Sequence, residues 1–139
     1  MKKSTKTIEV KVERIIPAAP AEVFDGWLNP KIPGTPWNEG DKVILNPKVD
    51  GLFYWLIHGT PHYGRFTAVK RAARIQHTWM SPYTLGLEST VTLTFKKKGE
   101  DTVMTLVHSG LPDSDEGRKH QEGWSYFMDK FPKHFGKAK

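Results

Sequence analysis

The chain has 139 residues, 37% hydrophobic and 12% aromatic, a length and composition that suit one domain, spanning residues 1–139, with a real core. It contains no cysteine, which excludes disulfides, thiolate nucleophiles, Cys-ligated zinc and iron–sulfur clusters. The net charge of +6 raises a nucleic-acid or anionic-membrane partner, but the lysines gather at the ends (Lys2, Lys3, Lys6; Lys130, Lys133, Lys137, Lys139) and in one hairpin (Lys96, Lys97, Lys98) rather than along one face. No nucleic-acid partner is therefore expected. No run approaches the roughly 20 apolar residues of a membrane span, and Met1 to Lys6 leads into no apolar signal segment, so a cytosolic protein is expected.

From Thr7 to Arg14, Ile8, Val10 and Val12 alternate with Glu9, Lys11 and Glu13, the pattern of a half-buried strand. Ala21 to Leu28 places Val23, Phe24 and Trp27 at helical spacing behind Pro20, which suits a first helical turn. Residues 29–41 hold Pro30, Pro33, Gly34, Pro36 and Gly40, and this density predicts a long constrained loop around Trp37. Short apolar runs between turn signals then predict a meander: Val43 to Leu45, Leu52 to His58, Tyr63 to Val69 after a Gly59-Thr60-Pro61 turn, and Arg74 to Ser81. Val91, Leu93 and Phe95, then Met104 and Leu106 beyond the Gly99-Glu100-Asp101 turn, add two further strands. Between Asp113 and Phe135 the period changes: Trp124, Phe127, Met128, Phe131 and Phe135 form one helical stripe, which Pro132 should kink or end.

This order gives an α+β fold, with a curved antiparallel sheet of about six or seven strands wrapped around a long C-terminal helix. Large aromatic side chains between a helix and a curved sheet are hard to pack completely, so a residual apolar cavity is expected there.

Four stretches carry a resemblance: Pro17-Ala18-Ala19-Pro20-Ala21-Glu22-Val23-Phe24-Asp25; Gly64-Arg65-Phe66 through Arg74-Ile75-Gln76-His77-Thr78-Trp79; Thr102 to Leu111; and Gly123-Trp124. Together they resemble the START-like helix-grip superfamily (SRPBCC), in the branch named for homology to the activator of heat shock protein 90 ATPase. The resemblance implies a helix-grip fold and a cavity for lipids, sterols or polyketide-like molecules. The eukaryotic co-chaperone behind the name has an additional N-terminal domain for which this chain has no room. Relatives usually place a second short helix where this sequence has three prolines between residues 30 and 36, which leaves the shape of the cavity mouth open.

Strand alternation puts His77 in line with Ile75 and Trp79, and His108 in line with Met104 and Leu106, so both imidazoles should point toward the helix. Each can anchor a polar ligand group, act as a general base or bind metal; each can equally be a core histidine bonded to its neighbours. His58 and His62 flank a turn and offer no zinc-protease spacing. His120 and His134 lie among lysines and read as surface residues. Trp37 reads as a lid or rim residue, and Tyr54, Trp79, Trp124, Phe127 and Met128 complete the candidate ligand-binding set with His77 and His108. The strand from Leu52 to Ile57 is apolar on both faces, which suggests cover by the 29–41 loop or a subunit interface.

No GxSxG elbow, glycine-rich phosphate loop or metal motif is present, so no catalytic residue, metal or cofactor is assigned. The leading reading is non-enzymatic binding of a small apolar or aromatic molecule. The alternative is a protein-interaction module making a chaperone or homodimer contact; a third is a hydrolase or cyclase built from His77, His108, Ser81 and Tyr83 with water.

Overall fold

A computed structural model describes residues 6–135. The terminal residues expected to be solvated, Met1 to Thr5 with Lys2 and Lys3, and Lys137 and Lys139, lie outside these. The alternating first segment forms β1 (Thr7–Ile16), which buries Val10, Val12 and Ile16 on one face. α1 (Pro20–Trp27) follows with proline in its first turn and Val23, Phe24 and Trp27 buried. The segment expected to be irregular contains one helical turn, α2 (Pro36–Glu39). There the Thr35 Oγ1 accepts the Asn38 N–H at 3.2 Å and Pro36 occupies the first turn. The proline that seemed to forbid a helix is the one that starts it, because a first-turn residue has no intrahelical use for its N–H.

The strands β2 (Lys42–Leu45), β3 (Leu52–Ile57), β4 (Thr60–Lys70), β5 (Arg74–Trp79), β6 (Ser89–Lys98) and β7 (Asp101–Pro112) complete one seven-stranded antiparallel sheet in the order β1-β7-β6-β5-β4-β3-β2. Register shifts between Ile8 and Val10 and between Phe66 and Ala68 interrupt the ladders, and such irregularities bend and twist a sheet. The turn between β3 and β4 is tighter than Gly59-Thr60-Pro61 implied. Ile57 pairs directly with Thr60, leaving His58 and Gly59 as a two-residue hairpin loop with φ of 50° and 77°, the left-handed pair that such a loop requires. Thr60, Pro61 and His62 are therefore strand residues.

The C-terminal stripe packs on the concave face, with Trp124, Phe127, Met128 and Phe131 buried. It is not one continuous helix. α3 (Asp115–Arg118) is separated from α4 (His120–Lys130) at Lys119, and a 3-10 turn covers Phe131–His134. At the first break the His120 Nδ1 lies 3.1 Å from the carbonyl oxygens of both Glu116 and Gly117, the acceptors that a continuing helix would give to main-chain N–H groups. The second break falls at Pro132, as its missing N–H dictates. No helix among the described residues is long and apolar enough to cross a membrane.

Candidate functional site

On the concave face the rings stack in register. His77 on β5 pairs with Val91 on β6, which pairs with His108 on β7. The two histidines meet different surroundings. His77 is enclosed by Phe53, Phe66 and Trp37, with ring centroids at 4.9, 5.2 and 6.2 Å, and its Nδ1 donates to the Thr78 carbonyl at 2.9 Å. Burial pushes it down to about 4, against the modest upward pull of that carbonyl.

His108 is held in a chain of side-chain bonds. The Trp124 Nε1–H donates to its Nδ1 at 2.9 Å, which fixes Nδ1 as an acceptor and leaves the ring hydrogen on Nε2. The Nε2–H then donates to Ser89 Oγ at 2.7 Å, and Ser89 donates to the Trp79 carbonyl at 2.6 Å. Burial, with smaller contributions from the positive charge that His120 and His77 could carry, holds His108 well below the ordinary imidazole range.

Beside this chain a pocket of about 260 Å³ opens between the sheet and α4. The β3–β4 hairpin supplies Trp55, Ile57, His58, Thr60 and His62; β5 supplies Trp79; the 3-10 turn at Pro82–Thr84 supplies Tyr83. The junction of α3 and α4 supplies Lys119, His120 and Gly123, and α4 adds Trp124 and Phe127. Gly123 keeps the space open, since a Cβ added there would meet nothing within 4 Å. The walls are aromatic: Trp79 lies 5.1 Å from Trp124 and 5.7 Å from Trp55 between ring centroids, and Phe127 lies 6.0 Å from Trp55.

Of the residues singled out in the sequence, Trp79, Trp124 and Phe127 of the ligand-binding set meet at this pocket, with Tyr83 of the hydrolase set. His108 stands behind the wall as a support for Trp124, and His77 lies deeper, outside the lining. Met128 is fully buried on α4 and also lies outside it. Trp37 is not a lid or rim residue: it is 3% exposed and packs edge-on against Phe53 at 5.1 Å, because α2 turns it under β3 as part of the core. Tyr54 points to the opposite face of the sheet from Phe53 and Trp55, with Ile44 and Tyr63 as strand neighbours, and does not reach the pocket. Ser81 is engaged in a capping box around Tyr83 and Thr84, and of the four residues of the hydrolase reading Tyr83 alone lines the pocket.

Two histidines of the pocket differ from their expected placement. His62, expected to flank a turn, is a buried strand residue opposite Trp55, its Nδ1 donating to the Trp55 carbonyl at 3.2 Å; burial pushes it down to about 4. His120, placed on the surface, is half-buried, and burial lowers it also, against the pull of the Gly117 and Glu116 carbonyls. The pairing of a histidine, which tolerates the left-handed region, with a glycine at 58–59 was the available signal for the tighter turn. Among the described residues, no group of three or more His, Asp or Glu is placed to hold a metal ion.

A seven-stranded antiparallel sheet closed over a C-terminal helix, with a pocket between them, is the START-like helix-grip arrangement. The model of the family described as "Activator of Hsp90 ATPase homolog 1-like protein" matches residues 17–136, and the chain belongs to that family. No curated protein matches it. Among solved structures, a Chromobacterium violaceum protein is similar over 94% of this chain and 98% of its own, at 18% identity and a TM-score of 0.78. An HSP90 activator from Plasmodium falciparum is similar over 89% of this chain and 90% of its own, at 21% identity and a TM-score of 0.72. An Aha1 dimer from Colwellia psychrerythraea is similar over 87% and 90%, at 13% identity and a TM-score of 0.70. At these identities the likeness is one of fold.

Proposed function

We propose that the protein is a cytoplasmic, non-enzymatic binding protein that encloses a small apolar or aromatic molecule between the sheet and α4. The observation that supports this is the pocket walled by Trp55, Trp79, Trp124 and Phe127, left unfilled where Gly123 has room for a side chain. The cleft opens to solvent beside the exposed Gly123, so these large rings present apolar faces that a bound aromatic molecule would cover. Its volume of about 260 Å³ falls just below the ~300–1,000 Å³ of drug-sized sites, so the fit is to a compact ring system and not to a sterol or a two-chain lipid. Native mass spectrometry of freshly purified protein, with denaturing extraction of anything retained, tests the reading: a stoichiometric small-molecule adduct supports it. A bare mass together with no thermal shift against an aromatic panel removes it.

A second reading rests on the convex face. Ile44, Leu52 and Tyr63 are 53%, 55% and 48% exposed on adjacent strands β2, β3 and β4, an uncovered apolar strip of the kind that docks a partner. The Plasmodium protein is an HSP90 activator and the Colwellia protein a dimer, which supports a chaperone or a second copy as that partner. Sedimentation velocity of wild type and Leu52→Glu, alongside pull-down on heat shock protein 90, tests it; a monomer with no retained chaperone excludes both contacts.

A further inference from the structure

The polar groups of the pocket specify the chemistry of its occupant more narrowly than its size does. His62 enters from β4 and His120 from the start of α4, and each ring is tied back to the wall through Nδ1: His62 to the Trp55 carbonyl at 3.2 Å, His120 to the Glu116 and Gly117 carbonyls at 3.1 Å. A carbonyl oxygen only accepts, so Nδ1 carries the hydrogen in both rings and Nε2 carries the lone pair. Neither Nε2 has a partner in good hydrogen-bond geometry among the described residues, the Thr60 carbonyl exerting only a minor pull on the His62 ring.

Both rings stay neutral near pH 7 through burial, and a charge on His120 would further disfavour one on His62. No Asp or Glu lines the pocket, and Lys119 is exposed at its mouth. The two imidazoles are thus oriented acceptors, whereas the hydroxyls of Thr60 and Tyr83 can rotate to donate or accept. An occupant without a donor leaves two acceptors facing an aromatic wall, and an anionic occupant sets its own lone pairs against theirs.

Resting on the reading of this pocket as a binding site, we propose that it selects a neutral one- or two-ring aromatic molecule carrying a hydrogen-bond donor, such as a phenolic hydroxyl, turned toward His62 and His120. The indoles of Trp55, Trp79 and Trp124 and the ring of Phe127 bury its apolar body, and the two Nε2 atoms set its orientation.

Isothermal titration calorimetry of the full chain at pH 7.5 with 2-naphthol, 2-methoxynaphthalene and 2-naphthoate tests this. The expected result is binding of 2-naphthol on the order of tenfold tighter than either of the others, the net worth of a matched hydrogen bond. In the double variant His62→Phe, His120→Phe, 2-naphthol should fall to the affinity of 2-methoxynaphthalene, which stays bound. Equal affinities in wild type, a preference for the carboxylate, or a hydroxyl preference that survives the double variant overturns the inference while leaving the pocket a binding site. Binding of none of the three removes the binding reading along with it. The wild-type series decides by itself should the double variant not fold.

Discussion

The Trp124 indole donates its Nε1–H to Nδ1 of His108 across 2.9 Å, and that one bond settles the tautomer of a histidine buried on the central sheet. Everything downstream follows: Nε2–H to Ser89 Oγ, Ser89 to the Trp79 carbonyl, and the orientation of the Trp124 indole that walls the pocket. His108, which could have been read as a ligand anchor, instead holds a wall in place.

Trp124→Phe removes the donor and leaves His108 Nδ1 buried without a partner. An orphaned acceptor and a partly filled cavity together should cost roughly 2–4 kcal/mol. Ser89→Ala strands the other ring nitrogen and should cost about 1–3 kcal/mol. Urea unfolding with an unchanged m-value measures both; a cost within error for both variants would show that the chain of bonds does not hold the core.

Stability should fall as the solution is acidified from pH 7 to 5, before carboxylate titration dominates. His62 and His77 are each held down to about 4 in the folded protein, against 6.5 as the ordinary value. Between those limits the unfolded chain takes up protons that the folded chain refuses, so their contribution is complete above pH 6.5 and is lost as pH falls toward 4. For fully buried His77 the loss at pH 5 is about 2 kcal/mol, and His77→Phe should flatten the pH dependence. Melting temperatures across pH 5–7.5 read this directly; a flat profile in wild type would contradict the neutral buried rings.

Trp37 and Glu39 separate core from surface within one turn of helix. Trp37→Ala empties a ring packed against Phe53 and His77 and should cost roughly 3–5 kcal/mol. Glu39→Gln breaks the 2.7 Å pair with Lys130 and weakens the contact with the Tyr126 hydroxyl, yet the Lys130 side chain is 41% exposed, so solvent screens the pair and the loss should be small beside the first. Were Trp37 a mobile lid, the first cost would shrink toward the second in chemical denaturation.

Gly34 joins the loop before α2 to the C-terminal 3-10 turn. Its φ of +93° and the Phe131 backbone, which crowds the site an added Cβ would take, leave no space for a side chain. Gly34→Ala should destabilise by more than about 2 kcal/mol, since neither the backbone angle nor the neighbour can give. A circular-dichroism melt within a degree of wild type would refute the close approach.

The parts of this fold legible in the sequence are those written in periodicity. β1, α1, β5, β6, β7 and α4 alternate or repeat over enough residues to mark their inward faces, Trp79 on β5 and Trp124 and Phe127 on α4 among them. Where structure and periodicity differ, the position of a proline or glycine decides, not its count. Pro36 starts a helix, Pro61 sits in a strand beyond a two-residue turn, and the resulting shift of the β3–β4 turn is what moves His62 from loop to pocket. His120 was lost for a different reason. Its burial comes from a break in the helix that its own side chain satisfies, and a stripe read at constant period carries no trace of such a break.

The most direct measurement is native mass spectrometry on wild type and Gly123→Leu purified side by side. Leucine in place of this helical glycine adds a side chain to the pocket where a Cβ meets nothing and gains up to about 1 kcal/mol of helix propensity, so the variant should fold at least as stably. The result expected is a small-molecule adduct on wild type and a bare mass for Gly123→Leu, with equal or higher melting temperature. An adduct retained at the same stoichiometry in the variant, or its absence from wild type together with no binding of aromatic probes, would contradict a ligand held between the sheet and α4.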